Sequence, residues 1–389
     1  MKSNKVVLIT YPDDFILNEA KQLVLSIPEY EIAKVFTQKY LNHAKYGIGS
    51  GKAEEIETFV KETKEIAEII VDEHLTSKQI FNLENLTGVP VKDRERLILD
   101  IFYMRATTVE AKLQIQLAEI EYKMPRVREN AKLSSLSKER AGKGGKGEYI
   151  VDVHFRDLKR QMSFIKEKLN DAKIKRNIYQ HQRQKLKLPV VSLVGYTSSG
   201  KTTLFNLLTA EFKETSPNLF TTLTTTTRLF KDSCNNKNFI KTREKDERER
   251  RRGELLIVDT VGFISRLPHY MIDAFKSTLE ESLVADLILL LIDSSEKIED
   301  ISIKYLNCLQ ILEELNTDKS KLFIILTKVD KIDTRIINEI AANLNITNNN
   351  NNNNVMAISS NTGYGIHKLK TLLMKKQPGE MKYIKKDKN

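Results

Sequence analysis

Residues Gly195-Tyr196-Thr197-Ser198-Ser199-Gly200-Lys201-Thr202 spell G-x-x-x-x-G-K-[ST], and their surroundings give the match its force. Val190 to Val194 is an apolar run that reads as a buried strand, and Thr203 to Leu208 reads as the first turns of a helix. Strand, loop and helix in that order suit a phosphate. Glycines let the backbone wrap the anion and aim N–H groups at it, and the helix N-terminus adds its dipole. Lys201 can then reach the β- and γ-phosphates, and Thr202 can offer its hydroxyl to Mg2+. A plain glycine-rich turn is the competing reading, and the rest of the chain decides between the two.

From Leu188 onward further strands are expected at Leu255 to Val258, Leu287 to Ile292, Leu322 to Leu326 and Val355 to Ile358. The segment Leu255 to Gly262 is a buried strand ending in D-x-x-G, formed by Asp259, Thr260, Val261 and Gly262. Asp259 would hold Mg2+ through water, and the Gly262 N–H would sense the γ-phosphate. After the fourth strand, Thr327-Lys328-Val329-Asp330 resembles the N-K-x-D loop that reads guanine. Asp330 can accept from guanine N1 and N2, a pair of donors adenine lacks in that arrangement, and Lys328 would lie against the base plane. Thr327 stands where asparagine is usual. Ser359-Ser360-Asn361 follows the last strand, where S-A-K is common, and Ser359 is the firmest part of that match. Four motifs in the right order predict binding of GTP or GDP with Mg2+, and hydrolysis of GTP to GDP and phosphate. Lys201 and Gly262 are catalytic candidates. Phe263 follows the D-x-x-G where Ras-like enzymes carry a glutamine, and a phenyl ring cannot orient water, so intrinsic hydrolysis is expected to be slow.

The first hundred residues alternate strand and helix signals. Strands are expected at Val6 to Thr10, Ile32 to Phe36, Ile69 to Val71 and Val89 to Val91, with helices at Ala53 to Ile66 and Ser77 to Leu86. Gly47 to Ala53 imitates a second phosphate loop. Tyr46 stands in place of its first glycine and Ala53 in place of its hydroxyl, so it reads as a turn that starts a helix. Next, Val109, Leu113, Leu117, Ile120 and Met124 form one apolar stripe that ends before Pro125. Phe155, Leu158, Met162, Ile165, Leu169 and Ala172 repeat at alternating steps of three and four, a seam that predicts two antiparallel helices. Between them, Ala141 to Gly147 is glycine- and lysine-rich and reads as an exposed cationic tip loop suited to an RNA-walled cavity.

The fold class expected is therefore α/β. It comprises a P-loop GTPase domain with a mostly parallel sheet and helices on both faces, preceded by a small α/β domain and an antiparallel helical hairpin. Boundaries fall at 1–105, 106–188, 189–376 and a basic tail over 377–389. Lys241 to Arg252 reads as a solvated charge-dense loop and Asn348 to Asn354 as a disordered asparagine run.

Charge is concentrated. Lys123 to Lys187 holds 19 Lys and Arg and 7 Asp and Glu, so it carries +12 of a chain total of +11. That is the footprint of a polyanion partner, with nucleic acid the leading candidate and a solvated helical face the alternative. At 40% hydrophobic residues the chain has no run of membrane-spanning length, and Leu283 to Ile292, broken by Asp286, is the longest. Val6 follows the short Met1-Lys2-Ser3-Asn4-Lys5 directly, without a secretory signal. Cys234 and Cys308 offer no metal spacing or disulfide framework. A monomeric cytoplasmic protein is expected, with peripheral membrane association left open.

The resemblance to one family is specific. Asp259-Thr260-Val261-Gly262-Phe263-Ile264, Leu267-Pro268-His269 and Ala274 to Glu281 are similar to the switch II signature of the HflX family. Phe220-Thr221-Thr222-Leu223-Thr224 with Thr226-Thr227-Arg228 is similar to its switch I, F-A-T-L-D-P-T-T-R. Arg96 to Phe102, Glu110 to Gln114 and Tyr46 to Lys52 resemble its N-terminal region, so the likeness runs from about residue 6 to about residue 376. Departures are Thr224 and Thr225 for Asp-Pro, Thr327 for Asn and Asn361 for Lys. The resemblance adds Thr222 as the third catalytic candidate: it implies that Thr222 senses the γ-phosphate and joins Thr202 and Asp259 on Mg2+, with Thr221 and Thr224 as alternatives within the threonine run. It also implies docking on the large ribosomal subunit through ribosomal RNA, with DNA not expected, and splitting of stalled or idle ribosomes under stress. Two other readings stay open. One is an RNA- or ribosome-binding module in which GTP only gates affinity. The other is an added ATPase or RNA-remodelling activity of the N-terminal domain.

Overall fold

A computed structural model of the chain describes residues 3–63, 65–138, 146–186, 188–211, 225–231, 254–272, 285–344 and 355–375. By their contacts the residues fall into two compact units, Met1–Lys173 with Leu267–Ala274, and Ile174–Arg266 with Phe275–Asn389. Each is built from alternating strands and helices.

In the first unit, β1 (Asn4–Thr10), β2 (Tyr30–Thr37), β3 (Ile66–Val71) and β4 (Val91–Asp93) form a parallel sheet in the order β2-β1-β3-β4. The intervening helices are α1 (Asp14–Leu25), α2 (Ser50–Thr63), α3 (Ser77–Thr87) and α4 (Arg94–Arg105). Val7, Ile9, Ile69 and Val71 share a core with Ile56 and Val60 of α2 and Leu83 of α3. Their neighbours Val6, Leu8 and Ile70 are buried too, as two covered faces require. Side-chain caps set the helix starts. Asp13 accepts from Ile16 N, Thr76 and Gln79 form a reciprocal capping box, and Asp93 accepts from Arg96 N.

The strands β2 and β3 start two and three residues earlier than the sequence reading, at Tyr30 and Ile66, and two other elements are shifted. The helix expected at Ala53 to Ile66 begins at Ser50 and ends at Thr63, because Ile66 pairs with Lys5 as the first residue of β3. The strand expected at Val89 to Val91 lies two residues later, where Val91–Asp93 aligns with Ile69–Val71.

The helix α5 (Val109–Lys138) continues through Pro125, where the apolar stripe ended. Arg126, next in sequence, explains why. Its guanidinium bonds the carboxylate of Asp93 at 2.6 Å and the carbonyl of Leu75 at 2.7 Å, and stacks 3.5 Å from the Tyr122 ring. Tertiary anchoring outweighs the lost N–H. Leu117 and Ile120 of α5 and Ile165 of α6 (Lys146–Leu186) form a buried cluster with Leu113, Met124, Leu158, Met162 and Leu169 at its margin. Only seven residues separate the two helices, and the clustered positions lie similar distances from that junction, so the helices run antiparallel. Most of the tip loop, residues 139–145, lies outside the described residues, as do Lys241 to Arg252, Asn348 to Asn354 and residues 376–389.

The second unit holds a six-stranded sheet in the order β10-β9-β8-β5-β7-β6. Its strands are β5 (Val190–Gly195), β6 (Thr226–Lys231), β7 (Glu254–Asp259), β8 (Leu287–Asp293), β9 (Leu322–Thr327) and β10 (Val355–Ala357). All pair in parallel except β6, an antiparallel edge strand against β7. One face packs Val191, Leu193, Leu289 and Ile325 against α7 (Lys201–Thr209) and α10 (Ile366–Lys375) through Leu204, Phe205 and Leu369. Further α-helices among the described residues are α8 (Ile298–Glu314), with Ile301, Cys308, Ile311 and Leu312 buried, and α9 (Thr334–Asn343). All seven residues of β8, the central strand, are buried.

Candidate functional site

The C-terminal ends of β5, β7, β9 and β10 bring the described site residues at Gly195–Thr202, Asp259–Gly262, Thr327–Asp330 and Ser359–Asn361 onto one edge of the sheet, where open parallel sheets hold their ligands. The phosphate loop leaves β5 at Gly195. A Cβ there would lie 2.4 Å from Leu291 O and 2.9 Å from Ser199 Oγ, so no other residue fits. Ser198 and Gly200 have φ of 61° and 89°, the left-handed turns that wrap the loop before α7 begins at Lys201. The hydroxyl oxygens of Thr197 and Ser199, both buried, have no hydrogen-bond partner among the described residues. Polar atoms left over inside such a loop fit a polyanion.

Lys201 is buried, and its ammonium donates to the loop's own carbonyls, Gly195 O at 3.1 Å and Tyr196 O at 2.7 Å. Burial pushes its pKa down to about 8, with the Asp259 charge opposing the shift. An anion beside it would relieve that cost. Thr202 Oγ1 donates to Asp259 Oδ2 at 3.2 Å, so the two predicted metal ligands from different elements meet. A hydroxyl and a carboxylate at that spacing fit a Mg2+ ion that keeps most of its waters.

Beyond Asp259, the Thr260 hydroxyl donates to Leu193 O at 2.7 Å and Val261 leads to Gly262. A Cβ on Gly262 would lie 2.8 Å from Thr197 Cγ2, 2.9 Å from its Cα and 3.2 Å from Lys201 Nζ, so the glycine is required by close approach to the phosphate loop. Phe263 then zips onto that loop: Phe263 N donates to Gly195 O at 3.0 Å and Thr197 N to Phe263 O at 2.8 Å. Its ring is buried. Nothing in the sequence pattern revealed Tyr196 as an anchor. Its hydroxyl accepts from Ser265 N at 2.7 Å, and the Lys304 ammonium, paired with Glu296, lies 4.9 Å over its ring. A tyrosine inside a phosphate loop was the available signal.

On the base side, Thr327 Oγ1 lies 2.9 Å from Ser199 O and 3.0 Å from Ile292 O. Lys328 has a left-handed φ of 56°, and its ammonium pairs with Asp293 at the end of β8. Val329 is buried, and Asp330 is exposed in the short turn Val329–Lys331. Ile358 N bonds Leu326 O, which sets the loop after β10 beside this turn. Ser359 is buried, with its Oγ accepting from Thr362 N at 3.1 Å, while Ser360 is half-buried and Asn361 exposed. Phe220, Thr221, Thr222, Leu223 and Thr224 lie outside the described residues. The strand that follows them places Thr226 opposite Asp259.

The first unit carries a separate polar knot. The Asp93 carboxylate receives Tyr122 OH as well as Arg126, and Glu95 receives His74 at 3.0 Å and Tyr270 OH at 2.9 Å. Its Gly47 to Lys52 segment turns at Gly47, with φ 75°, and enters α2 at Ser50, so it starts a helix as expected. No helix among the described residues is long and apolar enough to cross a membrane.

Three family profiles match along the chain. They are described as GTP-binding GTPase N-terminal over residues 15–103, GTP-binding GTPase Middle Region over 105–183, and 50S ribosome-binding GTPase over 190–328. The chain is 40% identical over 316 residues to a GTPase HflX of Methanocaldococcus jannaschii, covering 81% of this chain and 72% of that protein. It is 34% identical over 345 residues to a GTPase HflX of Hyperthermus butylicus, covering 87% of each. A GTP-binding protein of Sulfolobus solfataricus, solved in complex with GDP, shares the fold at TM-score 0.50 and 24% identity, over 96% of this chain and 98% of that one.

Proposed function

The chain belongs to the HflX family of GTPases, and on that premise we propose that it hydrolyses GTP at the Gly195–Thr202 loop in a cycle that controls its hold on the large ribosomal subunit. The observation that carries the reading is the meeting of Lys201, Thr202, Asp259 and Gly262 around one phosphate loop. GTP-binding chemistry at this fold edge belongs to the family; the individual roles are our assignment.

Lys201 pairs with the β- and γ-phosphates, and the loop N–H groups bind their oxygens. Thr202, and Asp259 through water, would hold Mg2+, joined by Thr222 from switch I. The ion, when bound, neutralises charge on the β- and γ-phosphates. Asp330 accepts from guanine N1 and N2, Lys328 covers the base, and Ser359, Ser360 and Asn361 border it. Water attacks the γ-phosphorus, the bond to the β,γ-bridging oxygen breaks, and GDP, phosphate and a proton leave. Gly262 N–H follows the γ-phosphate, so its loss frees switch II. Phe263 spends both backbone groups on the phosphate loop and buries its ring, so this residue does not orient the water. The intrinsic rate is therefore expected to be slow, with a partner supplying that function.

The partner we propose is ribosomal RNA of the large subunit, engaged by the basic hairpin whose segment Lys123 to Lys187 carries +12 from 19 cationic and 7 anionic residues. We divide the chain functionally at 1–105, 106–188, 189–376 and 377–389, and assign a cytoplasmic monomer that dissociates stalled or idle ribosomes. The buried Phe263 favours one rival, in which GTP gates RNA affinity and turnover matters little. Hydrolysis measured with and without purified large subunits separates them. Stimulation of about tenfold or more supports the proposal, and an unchanged rate supports the rival.

A further inference from the structure

We infer that Thr327 leaves guanine N7 unread: its hydroxyl is committed to tying the base loop to the phosphate loop, so purine choice rests on the N1/N2 edge facing Asp330. The inference rests on the proposed placement of the base at Thr327–Asp330 and adds which atoms of the purine that loop can sense.

A threonine hydroxyl has one proton to donate. Thr327 Oγ1 lies 2.9 Å from Ser199 O in the phosphate loop and 3.0 Å from Ile292 O in β8, two acceptors that compete for that proton. The side chain is 3% exposed, so water cannot relieve either carbonyl if the proton turns elsewhere. A Cβ placed on Gly200 would be 4.0 Å from both Thr327 Cβ and Oγ1, which shows how closely the side chain leans on the phosphate loop. Guanine offers acceptors at N7 and O6 and donors at N1 and N2. Toward N7 the threonine could present only a lone pair, which gives no bond. An asparagine at this position has two N–H donors and could serve a loop carbonyl and N7 together. The exchange of asparagine for threonine therefore keeps the strut between base loop and phosphate loop and removes one point of base recognition. Asp330, exposed in the adjoining turn, keeps the other.

The test compares GDP, 7-deaza-GDP, in which N7 is replaced by C–H, and XDP by titration calorimetry on the full chain. For the native protein, affinities for GDP and 7-deaza-GDP should agree within about twofold. Thr327→Asn should make 7-deaza-GDP about three- to tenfold the weaker ligand, the worth of one hydrogen bond. Thr327→Val, which keeps the shape and loses the proton, should weaken both ligands by one common factor. Asp330→Asn should reverse the preference from GDP to XDP. Should the native protein bind 7-deaza-GDP fivefold or more weakly while Asp330→Asn switches to XDP, the inference fails and the base placement survives. Should Thr327→Asn gain no N7 dependence, position 327 does not face N7 and the inference fails. Should Asp330→Asn leave GDP preferred, the base placement itself is wrong and the inference goes with it.

Discussion

Two glycine-rich loops in this chain look alike on paper, Gly47-Ile48-Gly49-Ser50-Gly51-Lys52-Ala53 and Gly195 to Thr202, and they are built for different ends. Each follows a strand-containing unit and feeds a helix, yet their lysines could hardly differ more. Lys52 is partly exposed and pairs with Glu55 one turn along its own helix at 2.6 Å. Lys201 is buried and held by two carbonyls of its own loop. Gly49 N is already used by Gln38 Oε1 at 3.2 Å, and Ala53 has no hydroxyl to offer a metal. Thr202, at the matching position, meets a carboxylate from another strand. Glycine spacing gives a backbone that can curl. A buried cation and a distant acid turn that curl into a phosphate site.

The sharpest way to break the comparison is to truncate both lysines. Lys201→Ala should weaken GDP binding about 10- to 150-fold, since a charge-assisted contact to the β-phosphate is worth roughly 1.5–3 kcal/mol. Lys52→Ala should leave it within about twofold, because an exposed pair on a helix contributes roughly 0.3–0.5 kcal/mol and no ligand contact. Equal losses in equilibrium titration would erase the distinction.

Acidity sharpens it next. The Lys201 amine, lowered to about 8, would bind the proposed phosphate in its charged form, and a bound nucleotide would raise its pKa again. Full affinity is therefore expected below about pH 8, with apparent GDP affinity falling by up to about tenfold per pH unit above it. Proton uptake on binding near pH 8, read by calorimetry in two buffers, checks the sign.

Glycines give the third contrast. A Cβ at Gly51 meets nothing within 4 Å, whereas one at Gly262 meets the Thr197 Cα at 2.9 Å. Gly51→Ala should be silent. Gly262→Ala should slow GTP turnover by about tenfold, roughly 1.4 kcal/mol, with GDP affinity changed much less. Smaller than the effect at Gly262, Tyr196→Phe removes the acceptor for Ser265 N and should alter turnover by about two- to fivefold through one neutral hydrogen bond, without touching the phosphates.

The parts legible in the sequence were those with short-range codes. The strand before Gly195, the D-x-x-G of Asp259 to Gly262 and the helix start near Gly47 are each written in a few neighbouring residues, and the seam from Phe155 to Ala172 in one unbroken periodic stretch. What escaped depends on distant partners. The antiparallel β6 is partly exposed and carries no strong alternation, and only its pairing with β7 defines it. Pro125 was a plausible stop until Arg126 found Asp93, 33 residues away. The Tyr196 anchor and the Thr327 strut join residues 69 and 128 positions apart, beyond any local pattern.

At the centre of the proposal, occupancy of the Gly195–Thr202 loop governs the proposed hold on the large ribosomal subunit. Co-sedimentation with purified large subunits, in a non-hydrolysable GTP analogue and in GDP, tests it for the native chain and Lys201→Ala together. The account predicts that the native chain pellets at least about fivefold more strongly with the analogue than with GDP, and that Lys201→Ala shows no difference between them. Equal pelleting of the native chain in both nucleotides would contradict it.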